Sequence, residues 1–131
     1  IAPGKRMLSS MAPTFLESAR GVILEFRGQW REAEAAFARS EAGFRAAAAK
    51  RPRWQQGPPT NALLQLADIN ATYQSRMKRE QGRLAEAEVD ARRALLNTLA
   101  IVGKYHPTTA TLCQSLAVVL GQDVKKGDPI A

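Results

Sequence analysis

Cysteine, histidine and aromatic side chains are all scarce in this chain of 131 residues. There is one Cys, Cys113, and one His, His106, and aromatics make up 6% of the composition. A single cysteine excludes an intramolecular disulfide and any zinc site built on cysteine ligands. Phosphate-binding glycine loops and metal-ligand clusters are absent from the sequence. β-Branched residues are few and do not alternate with polar ones, which argues against sheet. No apolar run approaches the length of a membrane span. The first ten residues lack the apolar core of a signal peptide. The chain begins at Ile1 instead of Met, so a processed product or a piece of a longer chain is expected. None of this decides between cytoplasm and periplasm.

What fills the sequence is Ala, Leu, Arg, Glu and Gln, the strongest helix formers. The net charge is +7. Up to Thr60 there are 10 Lys and Arg against 5 Asp and Glu, and from Asn61 on there are 9 against 7, so the surplus is mostly N-terminal. Arg and Glu are interleaved, which reads as solvated helix faces. The Glu32/Glu34 and Glu86/Glu88 pairs read the same way.

Residues 1–12, with Pro3 and Gly4, read as a flexible lead-in. A first helix opens at Thr14 with an apolar stripe of Phe15, Ala19, Val22 and Phe26 at helical spacing, Leu16 and Ile23 beside it, and ends at Gly28 or just before it. A second carries Trp30, Ala33, Phe37, Ser40, Phe44 and Ala47, spaced +3, +4, +3, +4, +3. Phe37 should be central to its packing. Lys50, Arg51 and Arg53 suit the negative end of that helix, Pro52 stops it, and Gly57-Pro58-Pro59 continues the loop. Thr60 or Asn61 should cap a third helix with Leu63, Leu66, Ile69 or Asn70, Tyr73 and Met77 inward. A fourth follows Gly82 with Leu84, Ala87, Ala91, Ala94, Thr98 and Ile101 at the same spacing. His106-Pro107 then interrupts. Thr108 or Thr109 starts a fifth helix with Leu112, Leu116, Val119 and Leu120, and the tail 122–131 is expected to fray or to begin a truncated further repeat.

A shift of 54 residues lays the second helix on the fourth. Gly28 meets Gly82, Glu32-Ala33-Glu34 meets Glu86-Ala87-Glu88, Arg39 meets Arg93, and the six stripe positions coincide. The expected fold is therefore all-α, an antiparallel helix-turn-helix solenoid of about five helices over residues 13–121.

The segments Gly28-x-Trp30-x-x-Ala33-x-x-x-Phe37 and Gly82-x-Leu84-x-x-Ala87-x-x-x-Ala91 resemble the turn and second helix of a tetratricopeptide repeat. Tyr105-His106-Pro107-Thr108-Thr109-Ala110-Thr111 is similar to the helix start of the kinesin-light-chain-like subtype, common in bacterial multidomain proteins. The resemblance puts Gly21 and Leu24 at a small and a large packing position of the first helix. In the third it gives Tyr73 the large position and Asn70 the small one. The 54-residue offset departs from the family period of about 34.

The resemblance implies a non-catalytic protein-interaction module without cofactors. The first helix of each pair would line a concave groove holding a protein or peptide, with Ser18, Val22, Glu25, Asn70, Arg76, Arg79, Thr111, Gln114 and Ser115 as groove residues. Arg76 and Arg79 favour an acidic partner. His106 is explained by the helix start, and Cys113, inside a helical pattern, reads as a small buried apolar residue. Two alternatives stay open. One is a basic nucleic-acid-associated helical domain using Lys50-Arg51-Pro52-Arg53-Trp54, although Trp54 is expected to fold back onto the helix end. The other is a self-associating regulatory domain. In it an unpaired fifth helix would dimerise through Leu112, Leu116 and Val119.

Overall fold

The structure is a computed structural model that describes residues 10–55 and 57–125. Five α-helices follow one another: α1 Ala12–Phe26, α2 Trp30–Lys50, α3 Pro58–Glu80, α4 Leu84–Val102 and α5 Pro107–Lys125, with one turn of 3-10 helix at Arg53–Gln55. No strand occurs among the described residues. Each helix packs antiparallel on the next, and α3 also touches α5. The result is two stacked helical hairpins with a fifth helix laid against the second, so the helical repeat is real.

One turn closes each hairpin, and the two are built alike. Gly28 and Gly82 have φ +72° and +76°, a region L side chains rarely enter. In the first, Gln29 N donates to Leu24 O at 3.0 Å and Gly28 N to Glu25 O at 2.9 Å. In the second, Arg83 N donates to Lys78 O at 2.9 Å and Gly82 N to Arg79 O at 3.0 Å. This is the paired hydrogen bonding that closes a helix through a left-handed residue, repeated 54 residues apart. It makes Lys78 the counterpart of Leu24 and Ser75 the counterpart of Gly21. The expected assignment of Asn70 and Tyr73 to those positions is corrected accordingly.

The α2 and α4 stripes bury as the spacing predicts. Ala33, Phe37, Ser40 and Phe44 on α2, and Leu84, Ala87, Ala91, Ala94 and Thr98 on α4, are all buried, while Trp30, Ala47 and Ile101 are half-buried. The core is divided into small clusters, such as Met11, Phe44, Ala48, Leu63 and Ala67 at one end and Ala33, Phe37 and Met77 at the other.

The α1 stripe is corrected. Phe15, Val22 and Phe26 are exposed, Phe26 to 88%, and so is Ala19; Phe15 also meets the Phe44 ring in a T-shaped contact. The buried side holds Gly21 and the half-buried Thr14, Ser18 and Leu24 instead. The cause is close approach between small residues. A Cβ on Gly21 would lie 2.5 Å from Phe37 Cε1, and one on Gly43 would lie 2.6 Å from Thr14 Oγ1. Ser40 Oγ donates to Thr14 O at 3.1 Å and meets Ser18 Oγ at 2.5 Å. An interface this tight leaves no room for the larger α1 side chains, which turn outward.

Three other expectations change. α3 starts at Pro58, not at Thr60 or Asn61, because two prolines at its first positions need no N–H partner and have their φ preset. Thr60 is buried inside the first turn and accepts Arg51 Nε at 2.9 Å. α5 likewise begins at Pro107. It is not unpaired: Leu112 and Val119 are 1% and 2% exposed and pack on Ala71 and Ala94, and on Ala87 and Ala91. With Leu116 packed beside Val119, the apolar face proposed for dimerisation is already occupied by this chain's own helices. Cys113 is exposed instead of buried. The helix runs on through Lys125, while most of the lead-in and residues 126–131 lie outside the described residues.

In the second hairpin Ser75 and Ala91 stand where the first has Gly21 and Phe37. Phe37→Ala should cost about 3–5 kcal/mol. Gly21→Ser alone should cost about 1–3 kcal/mol through overpacking, but should be close to neutral when Phe37 is already Ala. Urea unfolding of the four variants reads this coupling; strictly additive costs contradict it.

Candidate functional site

Two sets of polar residues stand out, one closed and one open. The closed set lies where α2, α3 and α4 meet. Asp68 of α3 is fully buried. It accepts Arg45 from α2 at 2.8 Å and Thr98 Oγ1 from α4 at 3.1 Å, with Asn97 at 3.4 Å. Glu41 of α2 accepts Arg45 Nε at 2.8 Å, Gln74 Nε2 from α3 at 2.7 Å and Arg93 from α4 at 3.1 Å. Burial pushes the Glu41 carboxyl up, but the hydrogen bonds from Arg93, Arg45 and Gln74 outweigh it and hold it below its ordinary range. Burial likewise opposes the charge on Arg45, and its bonds to Asp68 and Glu41 more than restore it. Every charge here has its counter-charge, so this set joins helices and leaves nothing over for a ligand.

A related set surrounds the glycine turns. Glu34 accepts Arg83 and Gln81, both at 2.8 Å, and Lys78 binds Asp90 at 2.5 Å. Glu34 and Glu88 are therefore partly buried ion-pair members, Glu88 with Arg92 at 2.8 Å, and not the solvated residues the sequence led us to expect.

The open set lies along α3, between α1 and α5. A cleft of about 270 Å³ between α3 and α5 is lined by Thr72, Ser75, Arg76, Arg79, Thr111, Gln114, Ser115 and Val118, among others. A wider cleft of about 580 Å³ between α1 and α3 is lined by Val22, Glu25, Phe26, Trp30, Tyr73, Arg76 and Glu80. A third, of about 300 Å³, reaches from Ile69 to Pro107 and again includes Arg76 and Thr111. Arg76 lines all three.

The side chain of Arg76 reaches across to α1. It donates to Glu25 Oε1 at 2.5 Å, and its guanidinium carbon lies 4.8 Å from the centre of the Tyr73 ring. Its Nε is buried with no hydrogen-bond partner. Arg79 has one distant contact, 3.9 Å to Glu80, and its side chain is 20% exposed. This α3 face therefore offers two cations with incomplete acceptors, next to hydroxyl and amide groups on one side and aromatic surface on the other.

Of the nine expected groove residues, five share the α3–α5 cleft: Arg76, Arg79, Thr111, Gln114 and Ser115. Val22 and Glu25 share the α1–α3 cleft with Arg76. Ser18 and Asn70 belong to neither. Ser18 Oγ donates to Asn70 Oδ1 at 3.0 Å, and Asn70 Nδ2 donates to Leu66 O at 2.9 Å, so both are spent joining α1, α2 and α3. Sequence reasoning missed Thr72 and Val118. The helical period held the signal, since Thr72 is four residues before Arg76 and Val118 four after Gln114.

His106 Nδ1 accepts Thr108 N at 3.1 Å, which caps the start of α5. Among the described residues no group of three or more His, Cys, Asp or Glu is placed to hold a metal ion, and no helix is long and apolar enough to cross a membrane. Comparison with family models, curated proteins and solved structures found no match.

The ionised form of Glu41 favours the folded chain. Its contribution is fully present above the ordinary Glu value of about 4.3 and is lost as pH falls through the lower folded value. Glu41→Gln should lower the melting temperature by an amount that is constant above about pH 5 and shrinks below it. A deficit of the same size at all pH values contradicts this. Asp68→Ala, which leaves Arg45 with Glu41 alone and the buried Thr98 hydroxyl without its acceptor, should cost about 1–3 kcal/mol in urea unfolding.

Proposed function

We propose that this chain is a tetratricopeptide-type helical repeat that binds a protein or peptide along the α1–α3–α5 face and carries out no catalysis of its own. The reading rests on three things: the 54-residue repeat with its matching glycine turns, the His106-Pro107 helix start, and the clefts along α3. The observation that carries it is Arg76. It lines every cleft on that face, has one carboxylate partner, and leaves its Nε–H without an acceptor.

A buried N–H without an acceptor costs about 1–3 kcal/mol. A carboxylate arriving in the α3–α5 cleft lets Arg76 turn from Glu25 toward it and gives Arg79 a counter-charge. Thr111, Gln114 and Ser115 add neutral hydrogen bonds on the opposite wall. In the α1–α3 cleft, Phe26, Trp30 and Tyr73 offer apolar surface next to the charge. An acidic segment with a neighbouring aromatic or aliphatic residue matches both halves. A buried charged hydrogen bond of this kind contributes about 1.5–3 kcal/mol, which gives weak to moderate affinity per site.

Selection from a random peptide library on the immobilised chain should enrich sequences with Asp or Glu beside an apolar residue. Arg76→Glu with Arg79→Glu should weaken the recovered peptides at least tenfold by fluorescence anisotropy, while Arg20→Glu, outside the clefts, should not. Recovery of basic or random sequences, or affinity untouched by the Arg76 and Arg79 changes, removes this face as the binding site.

A further inference from the structure

Because the helices alternate in direction, the connections 51–57 and 103–106 lie at one end of the bundle and the glycine turns at the other. A helix of about 20 residues spans roughly 30 Å, so the connection end is well separated from Arg79 and the wider cleft. Its charge is one-sided. The sequence has no acidic residue before Glu17, none between Glu41 and Asp68, and none between Asp90 and Asp123, and Asp68 is buried and already paired. Every described stretch of chain that reaches this end is therefore free of acid. The same stretches bring Lys50, Arg51, Arg53 and Lys104.

Elsewhere most arginines meet carboxylates: Glu17 serves Arg20 and Arg39, Glu41 serves Arg45 and Arg93, and Glu34 serves Arg83. Arg27 and Arg31, near the first glycine turn, form no ion pair among the described residues but have Glu25, Glu32 and Glu34 close in sequence. Lys50 and Arg53 are exposed and form no ion pair among the described residues. Arg51 is turned inward onto Thr60 and the Gln55 carbonyl. Three cations of the N-terminal surplus, Lys50, Arg51 and Arg53, thus stand at this end, and no described carboxylate pairs with Lys50 or Arg53.

Two aromatic rings stand on this end. Trp54 does not fold back onto the end of α2 as expected; it is 80% exposed, and Tyr105 is 89% exposed. The Lys104 ammonium lies 5.1 Å from the centre of the Tyr105 ring. The two connections lead into α3 and α5, which are in contact. Packed helices lie about 8–10 Å apart, so the rings stand on neighbouring supports that a strand of a few nucleotides can span.

We propose that this end of the bundle binds single-stranded nucleic acid, with Trp54 and Tyr105 as stacking platforms for bases and Lys50, Arg53 and Lys104 as phosphate contacts. Exposed rings interleaved with uncompensated cations are what a non-sequence-specific single-strand surface needs, since every base has a π-face and every nucleotide a phosphate. A duplex keeps its bases stacked and offers the rings little. An anionic membrane shares the charge preference and would accept Trp54, but interfacial insertion relies on a continuous apolar face of Trp, Phe and Leu beside the cations. The connections 51–57 and 103–106 contain no aliphatic side chain larger than proline. Neither ring nor cation reads the sugar 2′-hydroxyl, so RNA and DNA strands should bind alike.

Fluorescence anisotropy with labelled 15-nucleotide U and dT strands tests this. Both should bind at about 50 mM salt and weaken roughly tenfold to twentyfold by about 200 mM, the slope for three phosphate contacts. Trp54→Ala with Tyr105→Ala should weaken binding at least tenfold, while Trp54→Phe with Tyr105→Phe should keep most of it. Arg76→Glu with Arg79→Glu should leave it unchanged, which separates this surface from the peptide clefts. All these side chains are at least partly exposed, and matching melting curves would show that the variants fold. No binding at low salt overturns the proposal. So does equal binding by the Ala and parent chains, which is plain polyelectrolyte attraction. Tighter partition onto phosphatidylserine vesicles than onto either strand also overturns it, in favour of a lipid surface.

Discussion

The carboxylate of Asp68 is the contact on which the stack depends. It sits on α3 with no exposure to solvent and takes its hydrogen bonds from Arg45 on α2 and Thr98 on α4. Glu41 mirrors it from α2, bonded by Gln74 on α3 and Arg93 on α4. Each acid belongs to one helix and takes hydrogen bonds from both of the others, Glu41 taking one from Arg45 on its own helix as well. A charge so buried is tolerable only when its partners are in place. The polar contacts therefore set the register between hairpins, while the apolar clusters between them, rich in alanine, supply closeness. A stack held by apolar surface alone could slide by a turn at modest cost; this one cannot without parting Asp68 from Arg45 and Thr98, and Glu41 from Gln74 and Arg93.

The close approach that alanine, glycine and serine permit has a second consequence. Where α1 meets α2, Gly21, Gly43, Ser18 and Ser40 bring the backbones together, and Phe15, Leu16, Ile23 and Phe26 are left facing out. Part of that apolar surface, Val22 and Phe26, becomes one wall of the wider cleft. The same geometry places α3 between α1 and α5 with its C-terminal half open along one side, which is why Arg76 lines three clefts. The acids of the α2–α3–α4 junction are saturated, whereas Arg76 and Arg79 are not.

The α2 and α4 stripes and both turn glycines were legible from spacing, because those helices are amphipathic in the ordinary way and the turn has a single favourable residue. α1 was not. Its largest apolar residues form a convincing helical stripe, yet a stripe shows only which residues share a face. The buried face was decided by small residues, Gly21 above all, whose fit against Phe37 is a tertiary fact. The α3 start was missed for a local reason, since two prolines read as loop but suit a first helical turn. In the candidate site, seven of nine expected residues fall in the clefts because the helical period selects a face correctly. Ser18 and Asn70 were lost to a hydrogen bond between residues 52 positions apart, which no local pattern announces. Trp54 was misread because nothing in the sequence says whether a ring beside a helix end packs down or stands free.

The groove along α3 is tested most directly by mapping amide chemical shifts of the ¹⁵N-labelled chain while an acidic peptide recovered from a random library is titrated in. Perturbations should concentrate at Arg76 and Arg79 on α3 and at Thr111, Gln114 and Ser115 on α5, and spread to Val22 and Glu25 on α1, with α2 and the outer face of α4 unmoved. Shifts centred on α2 or the outer face of α4, around Arg39 or Val89, would contradict the groove as the binding face.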